Sequence, residues 1–247
     1  MEIPSFIPTP DIFQAKRVLA IQPHYDDNDI GAGGTLARLH DAGAEIIYLT
    51  VSDDLVGVTD PLLSDEQAAA SLERDQQAAG VITGVSQQIN LGYPDAGRYD
   101  YFDLRRELIK HIRRVRPDFI FTVDPWLPFE AHHDHIQTGL AAAEAAALFN
   151  MLRLPTDPQV DAAFEPYALA GVAFYYTRSP NLPVDISAVV ERKHAAIRCY
   201  ATQINGEDAD QLIALVGAME GAFGAQQGWA YGEALCVMAP QRLHCGA

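Results

Sequence analysis

Residues 17–34 read RVLAIQPHYDDNDIGAGG, and the order of chemistry along them decides the fold class. Arg17–Gln22 is short and apolar, the pattern of a strand buried on both faces. Pro23 opens a loop to Gly31 that carries six polar residues in a row, His24 to Asp29. Gly33 and Gly34 then open a helix to about Ala42, with Gly43 as its stop. The same alternation repeats outward. Glu45–Val51 reads as a second strand. Ser64 to about Gly80 reads as a helix, where Ser64 and Gln67 form a capping box. Gln87–Leu91 is a weak third strand. Tyr101–Val115 is a helix whose basic end (Arg113, Arg114, Arg116) suits its dipole and which Pro117 terminates. Asp118–Val123 is another buried strand, followed by a loop to about Asp134 and a helix to about Met151. Arg153–Pro166 reads as surface loop and Gly171–Thr177 as a strand. Ser187–Tyr200 and Glu207–Phe223 read as helices, and Ala234–Met238 as a last strand. Short apolar strands alternating with helices predict an α/β fold, a mostly parallel sheet flanked by helices on both faces. No linker divides the chain, so 1–247 reads as a single domain with residues 1–16 as an N-terminal arm.

Composition narrows the function classes. The 247 residues are 49% hydrophobic and 20% charged, which suits a globular chain with a substantial core. Seventeen Lys and Arg against 33 Asp and Glu give a net charge of −16. Such a surface neutralises no phosphate backbone and is repelled by anionic lipid, so neither nucleic acid nor membrane is an expected partner. Cys199, Cys236 and Cys245 form no C-x-x-C pair, the usage of a reduced, cytoplasmic protein. The first fourteen residues hold three prolines and no Lys or Arg, unlike a signal peptide.

Two polar clusters carry the chemistry. The first is Pro23-His24-Tyr25-Asp26-Asp27-Asn28-Asp29, and the second is Glu130-Ala131-His132-His133-Asp134-His135. Each follows the carboxyl end of a predicted strand, the edge on which open α/β sheets build their sites. If the two strands are neighbours, the clusters meet. His24 and Asp27, three apart, can bite one ion, and His132, His133 or His135 would complete a His2Asp set with a position left for water. Asp26 beside Asp27 would then be free to act as a base. Two other readings compete. Gly31-Ala32-Gly33-Gly34, with Asp53 and Asp54 about 20 residues on, partly mimics a dinucleotide fingerprint, which would make the chain a nucleotide-dependent oxidoreductase. Against it, Leu36 stands at the third glycine position, and eight residues separate the strand from the first glycine. The third reading is a metal-binding protein without catalysis.

At these clusters the sequence resembles the LmbE-like, or PIG-L type, de-N-acetylase family. Its motifs are P/A-H-P-D-D-E near the N-terminus, a Gly-Gly soon after, and H-P-D-H past the middle. Here stand Pro23-His24-Tyr25-Asp26-Asp27-Asn28, Gly33-Gly34 and His132-His133-Asp134-His135. The run Asp124-Pro125-Trp126-Leu127-Pro128-Phe129-Glu130 is similar to the diacetylchitobiose deacetylase branch, as are Tyr175-Tyr176-Thr177, Val184-Asp185-Ile186 and Lys193 through Arg198. The resemblance implies a Rossmann-like fold and zinc-dependent hydrolysis of an N-acetyl group on an N-acetylglucosamine-type sugar. It implies one Zn2+ per subunit, held by His24, Asp27 and His135. Asp26 would be the general base. His132 would be the acid and oxyanion stabiliser, with Asp134 orienting it. Asp95, Asp124, Trp126 and His244 would touch substrate, His244 by reaching a neighbouring subunit of a homo-oligomer, a hexamer in that branch. A specialised substrate, such as an antibiotic glycoside or a thiol conjugate, is the alternative within this chemistry. Tyr25, His133 and Asn28 depart from the family motifs. Leu72 stands where the family has a substrate-contacting arginine, the nearest being Arg74.

Overall fold

The computed structural model describes residues 7–244. Cys245 lies outside the described residues. One sheet of seven strands runs through the molecule: β1 (Arg17–Gln22), β2 (Glu45–Ser52), β3 (Val85–Tyr93), β4 (Phe119–Val123), β5 (Gly171–Tyr175), β6 (Leu182–Asp185) and β7 (Gly232–Met238). Their spatial order is β3-β2-β1-β4-β5-β7-β6. The first five are parallel; β7 runs antiparallel to β5, and β6 antiparallel to β7. Seven helices cover the sheet: α1 (Asp27–Asp41), α2 (Asp65–Thr83), α3 (Tyr101–Val115), α4 (His133–Leu148), α5 (Pro158–Ala163), α6 (Val190–Ile197) and α7 (Gly206–Gln227). No helix among the described residues is long and apolar enough to cross a membrane.

Strand periodicity divides the core. Val18 and Ala20 of β1 face one layer, with Leu36 and Leu39 of α1 and Val190 of α6. Leu19 and Ile21 face the other, with Leu104 and Leu108 of α3 and the alanines of α4. Alternating side chains thus bury both faces, as a parallel sheet requires. A buried ionic network fixes α1 against β7. Glu233 accepts hydrogen bonds from the Gly34 and Thr35 amides at 2.9 and 2.7 Å, and Lys193 lies 2.7 Å from Glu233 and 2.6 Å from Glu220.

Four local expectations change. α1 begins at Asp27 rather than at Gly33, so half of the polar run is helix. Its residues are buried because each has a partner: the Asn28 side chain donates to the Ala20 carbonyl and accepts from Tyr175, and Asp29 accepts from Tyr48 and Tyr200. The loop 153–166 contains the short α5, which Asp157 caps and Pro158 enters. β6 was not expected as a strand; it is a four-residue edge strand bearing Pro183, which suits an edge. The N-terminal arm ends in a 3-10 turn, Ile12–Gln14, capped by Asp11, and Ile12 is fully buried.

Leu72 is also buried. It packs in a small apolar cluster with Tyr25, Ala79, Ala196 and Tyr200, while Arg74 is exposed and hydrogen-bonds within its own helix. Leu72→Arg is therefore expected to destabilise rather than to restore a substrate contact. Losing the packing and burying a charge costs at least about 3 kcal/mol. In a domain of this size the melting temperature falls by roughly 5–10 °C. A variant that melts like wild type and turns over substrate faster would contradict this.

Candidate metal centre

β1 and β4 are hydrogen-bonded neighbours, and the sheet order reverses direction between them. The crevice past their carboxyl ends is the switch point of the sheet. Both polar clusters empty into it, one from each strand.

The first cluster is shaped by the start of α1. Asp26 is the N-cap, at φ −104° and ψ −15°, and its side chain makes no capping hydrogen bond. Its carboxyl group is therefore left for other work. Asp27, one residue on, accepts the His24 backbone N–H at 3.0 Å, and its Oδ2 lies 3.2 Å from His24 Nδ1. The second cluster is the start of α4, whose N-cap is His132. His135 Nε2 reaches within 3.4 Å of Asp27 Oδ1. The His24 and His132 rings meet edge to face at 4.6 Å, and His135 lies 5.3 Å from His24 and 5.1 Å from His132 between ring centroids.

One donor atom each from His24, Asp27 and His135 lie within 4.8 Å of one another. Ligands bonded at about 2.0–2.1 Å to a tetrahedral ion stand roughly 3.4 Å apart. His24 Nδ1 stands 3.2 Å from Asp27 Oδ2 and His135 Nε2 3.4 Å from Asp27 Oδ1, so each imidazole is about one such edge from one of the two carboxylate oxygens. Charge fits as well. Asp26, Asp27, Asp54, Asp95, Glu130 and Asp134 crowd three imidazoles, and among the described residues no Lys or Arg forms an ion pair with any of the six. The donor set therefore suits a divalent cation.

A ring of carboxylates holds the histidines. His24 Nε2 lies 3.4 Å from Asp95 Oδ1 and 3.7 Å from Asp134 Oδ2, and Glu130 Oε2 lies 3.4 Å from His135 Nδ1. Carboxylates on the far nitrogens fix the ring orientation and raise imidazole basicity. They are anchored in turn. The Val56 amide donates to Asp95, the Ala96 amide and the Tyr99 hydroxyl donate to Asp134, and the His132 amide donates to Glu130. Tyr176 stacks on His135, with ring planes 9° apart.

The environment separates the acids. Burial raises Asp26 well above the usual carboxylate range, reinforced by the charges of Asp27 and Asp54. Burial likewise pushes Asp54 up to about 7, against the pull of His24. Asp27 moves the other way: burial opposes its ionisation, but His135 and His24 outweigh it. Burial opposes the ionisation of Asp134, but the nearby His24 ring and hydrogen bonds from Ala96 and Tyr99 bring it down to about 2. Burial disfavours the His24 imidazolium, yet the carboxylates of Asp134, Asp27 and Asp95, at 3.7, 3.2 and 3.4 Å from its ring nitrogens, hold it well above the ordinary value. His132 is pushed down by burial and by its neighbours His24 and His135.

Of the residues singled out in the sequence, His24, Asp26, Asp27, Asp95, His132, Asp134 and His135 therefore surround one point. Others do not join them. Asp124 accepts the Trp126 amide at 2.9 Å, and the half-exposed Trp126 packs edge-on against Phe174. Among the described residues neither shares a hydrogen bond, ion pair or ring contact with the cluster. His244 lines a cavity of about 360 Å³ with Ala146–Met151, at the C-terminal end of α4 and about 24 Å of helix from His132. Asp134 lies 3.9 Å from His132 Nδ1, and its hydrogen bonds go instead to Ala96 and Tyr99. Of the supporting residues, Ala96 and Tyr99 belong to no run singled out in the sequence, Tyr176 stands only in the run Tyr175-Tyr176-Thr177, and Asp54 only in the dinucleotide-like pattern. Asp54, Ala96 and Tyr176 share one signal, a position one to three residues past a strand end.

The glycines of the dinucleotide-like motif serve packing. A Cβ on Gly31 would meet the Tyr175 ring at 2.2 Å, and one on Gly34 would meet Ile186 at 2.7 Å. Asp53 and Asp54 are bound to the Asp95 and Tyr25 amides.

Comparison with known proteins agrees with this geometry. Residues 19–146, which span both clusters, match the family model for PIG-L, GlcNAc-PI de-N-acetylase. Diacetylchitobiose deacetylase from Thermococcus kodakarensis is 35% identical over 188 residues, covering 76% of this chain and 70% of its own length. The 1D-myo-inositol 2-acetamido-2-deoxy-alpha-D-glucopyranoside deacetylase of Nakamurella multipartita is 29% identical over 237 residues, covering 76% of this chain and 80% of its own. The N,N'-diacetylchitobiose deacetylase structure from Pyrococcus horikoshii, solved with its inhibitor MPG, superposes with a TM-score of 0.87 at 34% identity over 94% of this chain and 86% of its own. With both clusters inside the matched span and the fold shared over nearly its whole length, this chain belongs to the PIG-L de-N-acetylase family.

Proposed function

We propose that this protein is a zinc-dependent N-deacetylase that removes the acetyl group from an N-acetylglucosamine-type sugar, such as a chitobiose unit. The observation that carries the reading is the meeting of His24, Asp27 and His135 at the switch point, beside an Asp26 carboxyl that makes no capping bond. The two curated relatives described above have names that share an acetylated glucosamine unit and differ in what it is joined to. An imidazole and carboxylate set suits zinc. A zinc ion there would polarise the acetyl carbonyl and make water acidic near neutral pH.

The chain's own residues do the rest. Asp26, whose pKa burial and neighbouring carboxylates raise, accepts the proton of the attacking water. His132, on the α4 side of the crevice, has to enter protonated for its part in this reading, against the burial and the neighbouring His24 and His135 that lower its pKa; it then donates to the oxygen that gains charge and protonates the departing nitrogen. Asp95 and Asp134 hold His24, and Glu130 holds His135, so the donor atoms are in place before substrate arrives. A homo-oligomer belongs to this reading through His244, which lies at the far end of α4 from its own chain's centre and would serve a neighbouring one, and a cytoplasmic location through the unpaired cysteine usage of the sequence.

The test is acetate release from N-acetylglucosamine and from diacetylchitobiose by chelated enzyme, before and after adding back zinc. The expected result is no release after chelation and recovery with about one equivalent of metal per chain. Release that survives full removal of metal would overturn the reading. Tight zinc binding without release from either sugar would move the substrate to a specialised N-acetyl compound.

A further inference from the structure

Among the described residues, five other than glycine hold a left-handed backbone: Asp54 (φ 58°), Ala96 (φ 49°), Arg116 (φ 54°), Phe129 (φ 71°) and Tyr176 (φ 56°). Arg116 closes α3, an ordinary place for such a residue. The other four border the metal centre, and strained backbone gathers where a site must be held in shape. Three of the four have a purpose inside the molecule. Asp54 accepts the Tyr25 amide, Ala96 donates to Asp134, and Tyr176 stacks on His135.

Phe129 has none. It is the third residue of the tight turn Leu127–Glu130, which the Glu130 amide closes onto the Leu127 carbonyl at 3.1 Å. Pro128 stands second. That pattern is a type II turn, whose third position is the natural place of glycine. A phenylalanine there strains the backbone, and the usual compensation would be a buried ring. The ring is instead fully exposed, at 102% of its reference surface. Within the protomer the backbone strain is thus not offset by any burial of the ring. Its location is specific: the next residue, Glu130, binds the His132 amide and faces His135. On the opposite wall Val56, also exposed, donates its amide to Asp95. The polar centre thus has an apolar rim on two sides.

We propose that Phe129 is a saccharide platform, stacking on the C–H face of the sugar unit next to the one that loses its acetyl group. This rests on the N-deacetylase reading above. A pyranose ring offers hydroxyls at its edge and an apolar face, and a flat exposed aromatic is suited to that face. Phe129 adjoins Glu130, whose carboxylate faces the ligand His135, so it stands outside the ligand set, on the side a unit beyond the reacting one would occupy. The turn fixes its backbone, which lowers that part of the cost of ordering on binding.

The test compares Phe129→Ala, Phe129→Gly and Phe129→Tyr with wild type. KM and kcat are measured on diacetylchitobiose and N-acetylglucosamine, with chitobiose affinity by calorimetry. Loss of the ring is expected to raise KM for the disaccharide and weaken chitobiose binding, each by roughly tenfold. kcat on both sugars and KM for the monosaccharide should stay within about twofold, and Phe129→Tyr should retain wild-type values. Phe129→Gly should also melt above wild type, because glycine relieves the turn. Unchanged disaccharide KM in the Ala and Gly variants of an active enzyme overturns the proposal and leaves the deacetylase reading standing. So does an equal rise for both sugars. A smaller oligomer with unchanged kinetics would make the ring a subunit contact and also overturn it. A wild type that neither binds nor deacetylates either sugar overturns this proposal together with the amino-sugar substrate on which it rests.

Discussion

His135→Ala is expected to lose bound zinc and acetate release together. His135 is the one member of the donor set supplied by α4; His24 and Asp27 both come from the turn between β1 and α1. Without it, two donors three residues apart remain on one side of the crevice, and two-point attachment does not hold an ion against dialysis. Even a hydrogen-bond partner behind a ligand is worth about 10–100-fold in metal affinity, so removal of the ligand itself should exceed the upper figure. Glu130→Gln provides the graded control. It keeps the imidazole and weakens the carboxylate behind Nδ1, so metal affinity should fall within that range while activity returns at high zinc. The measurement is metal content after exhaustive dialysis, followed by acetate release across a zinc titration. Full occupancy in His135→Ala would show that His135 is no ligand. It would return the choice of third ligand to His132, which shares the other donor group with His24, Asp95 and Asp134.

The parts of this molecule that were legible in sequence are those whose causes are local. Tyr101–Val115 is found at both of its read ends because Asp100 caps one end, accepting the Asp103 amide, and Arg116 with Pro117 stops the other. The Ser64–Gln67 capping box is formed as read. The start of α1 is hidden because a helix that buries its polar first turn shows no apolar stripe; Asn28 and Asp29 are inside because β1, β5 and the turn after α6 bring Ala20, Tyr175 and Tyr200 to them. The ligand motifs could be read because each is contiguous. Their supports could not, because Ala96, Tyr99 and Asp54 reach the centre through the order β3-β2-β1-β4, which no local pattern encodes. Asp124 and Trp126 illustrate the converse. They lie within a motif-like run beside the second cluster, yet the turn after β4 directs Trp126 against Phe174.

Asp26→Asn is expected to separate activity from both metal binding and stability. Asp26 lies outside the donor group formed by its neighbour Asp27, and it spends no hydrogen bond on capping α1. The amide keeps the shape of the side chain but cannot take a proton. kcat should therefore fall by about 10²–10⁴-fold, the usual worth of a positioned base, with KM and zinc content unchanged. Stability should move in the opposite direction. Burial, then Asp27 and Asp54, raise the Asp26 pKa above its value in an unfolded chain. A carboxyl group with the higher pKa in the folded state favours folding below its unfolded pKa and loses that advantage as pH rises through the folded value. At neutral pH the unfolded chain ionises it more readily, so its presence there is a cost that asparagine removes. A cation bound beside it lowers that pKa again, so the gain in melting temperature should be larger in chelated protein than in the zinc form. A variant that is inactive and also melts lower, or that loses its zinc, would place Asp26 in the scaffold or among the ligands instead of at the proton transfer. An inactive variant that retains zinc and melts higher would leave the base as the one function removed.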